Sequence, residues 1–302
     1  MLTSEAKAPD LTFRAERAAV AAALTGFCDT YLCDAPGAVG AAIRYSLLGE
    51  GKRLRAVLVS AAYAAAGGVD DVSALAAAVE VVHAYSLVHD DLPCMDDDDM
   101  RRGRATTHIV YGVPVATAAG LAMVPLAART AAAAARDLGL EPAIASQIVR
   151  ELMGAAGGAG MIGGQLLDLE GEGKPLALAD LERIHRLKTG ALITASVRLG
   201  GLAARASDAR MAALTRYGDA IGLAFQIADD VLDVTATTDQ LGKTAGRDIA
   251  LAKSTYPALL GIDGAVSKAE ALVEEGCAVL DATGLLTPQL DYLARFIVTR
   301  QS

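Results

Sequence analysis

The chain has 302 residues, 53% of them hydrophobic, which is ample apolar material for a large core and excludes disorder as the default state. With 27 basic and 36 acidic side chains the formal charge is −9, which excludes a general nucleic-acid-binding surface. Aromatic residues make up only 4%, Trp is absent and Ala dominates, a composition that favours closely packed helices and an all-α fold over a β-rich core.

In chain order, periodicity predicts helices over 11–33, 38–47, 52–67, 72–91, 114–137, 141–170, 179–203, 207–234, 264–281 and 287–300. No Pro/Ser-rich linker or long charge run interrupts them, so one domain covering 1–302 is expected. The window 72–88 is apolar around most of its circumference, which places it among other helices. The first ten residues, MLTSEAKAPD, lack the basic start and apolar run of a signal peptide. Cys28, Cys33, Cys94 and Cys277 form no CxxC pair, consistent with a reducing, cytoplasmic setting. The twenty uncharged residues 109–128 are long enough for a membrane span. They contain Gly112, Pro114, Gly120 and Pro125 among many Ala and Val, and read as a buried core helix instead. The segment 153–165 holds six glycines but matches neither a dinucleotide fingerprint nor a P-loop, so close helix approach is its expected role.

Two acidic clusters carry the chemistry. Six aspartates fall between Asp90 and Asp99, and Asp90 and Asp91 still belong to an apolar helix, where unpaired carboxylates are costly to desolvate. A bound cation would relieve that cost. A calcium loop starting at Asp96 fails, because Arg101 stands where Gly is needed and Thr107 where Glu is needed. Magnesium fits better, since it keeps several waters and takes one or two carboxylates with substrate phosphates. The second cluster is Asp229, Asp230 and Asp233, where Asp229 and Asp233 share a helix face with Gln226 one turn earlier. Basic residues lie near both clusters: Lys52, Arg53 and Arg55; Arg101 and Arg102; Lys188; and Lys243, Arg247 and Lys253. They are suited to a diphosphate bridged to the carboxylates by metal. No Ser-His-Asp or Cys-His nucleophile arrangement is evident.

These residues closely resemble the polyprenyl diphosphate synthase family, which includes farnesyl and geranylgeranyl diphosphate synthases. The matching motifs run through nearly the whole chain: G-K-R-L-R at 51–55, H-A-Y-S-L-V-H-D-D-L-P-C-M-D-D-D-D-M-R-R-G at 83–103, G-G-Q-L-L-D at 163–168, K-T-G at 188–190, F-Q-I-A-D-D-V-L-D at 225–233 and L-G-K-T-A-G-R-D…K-S-T-Y-P at 241–257. The resemblance implies the isoprenoid synthase bundle around a central cavity, a homodimer, and head-to-tail condensation of isopentenyl diphosphate with an allylic diphosphate. By matching position it implies that Lys52, Arg55, His83 and Arg102 hold isopentenyl diphosphate. Arg101, Lys188, Thr189, Gln226, Lys243 and Lys253 are to address the allylic diphosphate, with Lys188, Thr189 and Gln226 at the reacting centre. Asp90, Asp91, Asp96, Asp229, Asp230 and Asp233 are to carry magnesium, about three ions per site, some through water. The implied base is the diphosphate by-product, and Gly242 and Gly246, flanking Lys243, fit a lid.

Tyr85 lies five residues before Asp90, about 7.5 Å deeper along the helix, where a bulky ring would stop chain growth. An aromatic residue there, with Pro93 and Cys94 inserted in the first motif, resembles bacterial farnesyl diphosphate synthases and makes farnesyl diphosphate the expected main product. Geranylgeranyl diphosphate is the alternative, and a terpene cyclase or a non-catalytic partner subunit are rivals. A cyclase would normally replace the second Asp cluster, and a partner subunit would typically have lost one. Departures from the family pattern are Leu121 for a usual Asp, Arg247 for a common Lys, and an ending, T-R-Q-S, in which Arg300 is the sole terminal base. His89 has no specific assignment and is expected to be structural.

Overall fold

In the computed structural model, residues 12–33, 37–235 and 254–300 are described. Thirteen α-helices are seen among them: α1 (Arg14–Tyr31), α2 (Gly37–Leu47), α3 (Leu54–Ala65), α4 (Ser73–Asp90), α5 (Thr107–Tyr111), α6 (Val113–Asp137), α7 (Pro142–Ala156), α8 (Met161–Gly171), α9 (Leu178–His185), α10 (Ala191–Ala203), α11 (Asp208–Thr235), α12 (Tyr256–Asp281) and α13 (Pro288–Thr299). A π-helical turn, Arg186–Gly190, joins α9 to α10. The all-α expectation holds.

Helix α4 is the axis of the bundle. Leu75, Ala76, Ala77, Ala78, Val79, Val81 and Val82 are all fully buried, as their lack of a polar face predicts. It packs on α1, α3 and α6, while α10 joins α3 to α11 and α11 lies along α12. Helix α6 is long and apolar enough to cross a membrane, but its face from Ala116 through Met123 to Ala135 is packed against the bundle.

The expected boundaries need three corrections. The window 141–170 is two helices, because a corner at 157–160 folds the chain back on itself: a Cβ on Gly160 would meet the Ala155 carbonyl at 2.3 Å, and one on Gly163 the Gly158 carbonyl at 2.0 Å. Only Gly164 of this run serves close helix approach, since its Cβ would stand 2.2 Å from the Lys188 nitrogen. The last long helix starts at Tyr256, eight residues before expectation, capped by the Thr255 hydroxyl accepting from the Ala258 N–H. The stretch between α4 and α6 also holds a small ribbon, Met100–Arg101 paired with Arg104–Ala105, closed by Arg102 (φ 51°) and Gly103 (φ 72°) in a left-handed turn.

One buried acid holds the start of α3 in place. Glu80 of α4 is 3% exposed; its Oε1 accepts from the Ala56 N–H at 3.2 Å and its Oε2 from Arg53 Nη1 at 3.3 Å. Arg53 itself is left-handed (φ 53°) and also donates to the Leu47 and Gly49 carbonyls, both at 2.7 Å. Removing one member of a buried pair leaves the other uncompensated. Glu80→Ala should therefore lower stability by about 3 kcal/mol and the melting temperature by about 6–12 °C. Thermal unfolding followed by circular dichroism checks this, and a shift under about 2 °C would refute the structural role.

Candidate functional site

The first motif begins where α4 ends. Asp91 caps the helix and the chain then coils back, with Asp96 N–H donating to the Asp90 carbonyl at 2.8 Å and Asp98 N–H to that of Asp91 at 3.3 Å. Asp97 takes a left-handed conformation (φ 51°) to make this turn. Asp97, Arg102 and Arg53 are three of only five described non-glycine residues with positive φ, so backbone strain concentrates around these motifs. Arg101 reaches back to Asp91 Oδ1 with Nε at 2.7 Å and Nη2 at 2.6 Å. Burial nonetheless raises the Asp91 carboxyl above its ordinary range, with the Arg101 hydrogen bond opposing the shift. Asp90 is pushed up to about 6 by burial; Lys188 opposes and Asp96 reinforces the shift.

The basic motif of α3 is drawn to the same place. Arg102 donates to the Glu50 carbonyl at 3.0 Å and packs over Gly51, where a Cβ would meet its Nη1 at 2.5 Å. Tyr45 of α2 donates to the Ala105 carbonyl at 2.7 Å and supports Arg104 against its ring at 4.2 Å. Arg102 lies near enough to Lys52 and Arg55 for its charge to act on both, and Lys52 sits over the Phe296 ring at 5.7 Å. Arg55 Nη1 donates to His83 Nε2 at 3.3 Å, which leaves the imidazole proton on Nδ1. Burial and the adjacent Arg55 hold His83 well below its ordinary range, so it is neutral and cannot balance the guanidinium. Arg55 itself is lowered to about 10 by burial, and its buried Nε has no hydrogen-bond partner. Such a group is poised for an anion.

The other side is built on α8, the π turn and α11. The close approaches of Gly164 to Lys188 and of Gly222 to Gly190, where a Cβ would lie 2.9 Å from the neighbouring Cα, press the turn between two helices. Lys188 Nζ pairs with Asp168 Oδ2 at 2.6 Å. The Thr189 hydroxyl donates to Gln226 Oε1 at 2.8 Å, and Gln226 Nε2 donates to Asp230 Oδ1 at 3.1 Å. Asp230 Oδ2 accepts from the Tyr256 N–H at 3.0 Å and lies 3.6 Å from His185 Nε2. Burial lowers His185 to about 4, so this imidazole is also neutral. Asp229 meets Arg300 Nη2 at 2.6 Å, and that guanidinium stacks on the Phe225 ring at 3.8 Å. Asp233 is buried on the same helix.

The two halves face one another electrically. Lys188 acts on Asp90, while Asp229 and Arg300 act on Lys52 and Arg55. Tyr85 is 6% exposed, its phenol raised by burial and by Asp90. Lys243, Arg247, Lys253, Gly242 and Gly246 lie outside the described residues. Leu121 is 63% exposed on α6, so the usual Asp replaced there leaves no buried polar gap. Four contributors escaped sequence reasoning: Glu80, Asp168 as the partner of Lys188, His185, and Arg300 as the partner of Asp229. For Asp168 and Arg300 a signal existed, one inside a quoted motif and the other as the sole terminal base.

Among the described residues no three carboxylate, thiolate or imidazole side chains converge into a ready-made metal cage. The acidic side chains present, Asp90 and Asp91 at the end of α4 and Asp229 and Asp233 on α11, are oxygen donors of the kind a hard divalent cation takes together with waters and phosphates.

Residues 37–278 match the family described as polyprenyl synthetase. The chain is 47% identical over 267 residues to farnesyl diphosphate synthase of Escherichia coli, covering 85% of this chain and 88% of that protein. It is 43% identical over 249 residues to a chloroplastic geranylgeranyl pyrophosphate synthase of Catharanthus roseus, covering 82% and 69% respectively. The solved apo structure of an FPP/GFPP synthase from Zymomonas mobilis superposes with a TM-score of 0.82 at 33% identity, covering 96% of this chain and 100% of that one. The chain belongs to the polyprenyl synthetase family.

The raised Asp90 carboxyl gives a measurable sign. Between pH about 6 and about 4 the folded chain holds a proton there that the unfolded chain has lost, so this group destabilises the fold above about 6 and ceases to as pH falls. With chelator present, Asp90→Asn should raise the melting temperature at about pH 7.5 by about 2–6 °C, and the gain should shrink near pH 5. A variant that melts at or below the parent temperature at pH 7.5 would contradict the burial of this charge.

Proposed function

We propose that this chain is a magnesium-dependent prenyltransferase that condenses isopentenyl diphosphate head-to-tail with dimethylallyl and geranyl diphosphates, giving mainly farnesyl diphosphate. The observation that carries the reading is Arg55: a buried guanidinium with an unpartnered Nε, beside a neutral His83 and acted on by Asp229 of the second motif and by Arg102 next to the first.

Arg55, Lys52, His83 and Arg102 are taken to bind the isopentenyl diphosphate. Lys188, Arg101 and the Thr189–Gln226 pair are taken to bind the allylic partner, with Lys243 and Lys253 contributing from outside the described residues. Asp90, Asp91 and Asp96 on one side and the Asp229–Asp233 motif on the other would hold magnesium, which would supply positive charge to the departing diphosphate. The allylic carbon–oxygen bond breaks, the isopentenyl double bond attacks the resulting cation, and a proton leaves to the diphosphate. With its own proton committed to Gln226, the Thr189 oxygen is left as an electron-rich acceptor suited to a cationic carbon. Asp230 has both oxygens engaged by protein donors, so direct ligation by it would require exchange of those bonds.

A cytoplasmic homodimer is part of the same reading. Exposed apolar side chains at Ile109, Val110, Val113 and Leu121 on α5 and α6 support an interface there. The bacterial relatives support the farnesyl assignment, and the buried Tyr85 ring supports a cavity that ends early.

Purified protein given labelled isopentenyl and dimethylallyl diphosphates should make predominantly C15 product with magnesium and none with excess chelator. A predominant C20 product would overturn the farnesyl assignment, and turnover in chelator would overturn the metal requirement. Tyr85→Ala should lengthen the product, raising the C20 to C15 ratio about tenfold or more.

A further inference from the structure

We propose that His89 is a positioning residue for product length, holding the Tyr85 ring in place as the floor of the growing chain; this rests on the reading of Tyr85 above. The two residues lie one turn apart on α4, with ring centroids 5.2 Å apart and planes at 78°, an edge-to-face pair. Among the described residues the Tyr85 phenol makes no hydrogen bond, so packing alone sets its rotamer, and His89 is its aromatic neighbour.

His89 is itself held from the opposite side. Its Nε2 lies 3.1 Å from the Thr117 carbonyl oxygen on α6, and because a carbonyl only accepts, Nε2 carries the proton and donates. Helix α6 comes this close because residue 120 is glycine: a Cβ there would stand 2.1 Å from Nε2 and 2.3 Å from Cδ2 of the ring. Backbone of α6, imidazole and phenol thus form a stack in which each layer fixes the next. The reaction that Tyr85 would block is one more round of the same chemistry: farnesyl diphosphate loses its allylic carbon–oxygen bond, one carbon–carbon bond to isopentenyl diphosphate forms, and a proton and diphosphate leave. A ring free to rotate away would admit that extra five-carbon unit.

The experiment compares Tyr85→Ala, His89→Ala, His89→Gln and the double alanine variant, reading the C20 to C15 ratio at matched conversion. His89→Ala should raise the ratio about tenfold, and the double variant should go no further than Tyr85→Ala alone. His89→Gln, which keeps a donor for the Thr117 carbonyl without the ring, should fall between His89→Ala and the parent. His89 adjoins Asp90, so for any variant too slow to assay the ratio of dissociation constants for geranylgeranyl and farnesyl diphosphate gives the same discrimination without turnover. An unchanged ratio in His89→Ala, with Tyr85→Ala shifted, overturns the positioning role and leaves the floor standing. Equal added shifts in the double variant also overturn it. No shift in Tyr85→Ala removes the floor, and this inference with it.

Discussion

Buried like charge is the constraint on which this architecture depends. Asp90 and Asp91 end an apolar helix, and Arg55 sits inside the bundle next to an imidazole that stays neutral. Asp90 and Arg55 are each unfavourable where they stand, since burial dominates the shift of both, whereas Asp91 is already met by Arg101. The helices place them, the tertiary contacts keep them from drifting apart, and the resulting electrostatic strain is the binding capacity of the site. A protein with a net charge of −9 can hold a diphosphate only because its cations are gathered at one place and its surplus acids are arranged to be bridged rather than exposed.

Precision in this site comes from missing side chains as much as from present ones. Gly164 and Gly222 let two helices close on the π turn from either side, which brings Thr189 within 2.8 Å of Gln226. The amide of Gln226 then has one possible orientation, because its nitrogen faces the Asp230 carboxylate. Asp230 is oriented in turn by the first N–H of α12. Four elements thus set the polarity of one hydroxyl, and none of its partners is adjacent to it in sequence.

The legible part of this site was the part whose residue types are improbable where they occur. Two aspartates at the end of an apolar helix demand an explanation from sequence alone, and so do basic residues gathered near both acidic clusters of a net acidic chain. Glu80 was illegible because one acid in a helix reads as a solvent-facing residue until Arg53 and the Ala56 N–H are seen around it. Gln226 was placed on the face of Asp229, yet its hydrogen bond runs to Asp230, since helical spacing permits either neighbour and tertiary packing chooses. The break at 157–160 was missed for a related reason: glycines signal both close approach and reversal, and only the steric surroundings of Gly160 and Gly164 tell the two apart.

The cations of the site differ in how they are held, and that difference bears on how ligands enter. Lys188 is bonded to Asp168, Arg101 to Asp91 and Arg300 to Asp229, each at 2.6 Å. Arg55 has only a neutral imidazole as its hydrogen-bond partner, with Glu80 and Asp229 acting on it through their charge. The three paired cations keep the site near charge balance and can exchange a carboxylate for a phosphate oxygen at little electrostatic loss. The exchange also frees the carboxylate. Release of Asp91 from Arg101, or of Asp229 from Arg300, exposes an anionic oxygen next to the incoming phosphate, which is the arrangement a bridging cation requires. Ion pairs that look purely structural without ligand can therefore open to an incoming phosphate. Arg55, lacking such a contact pair, can take an anion without that exchange.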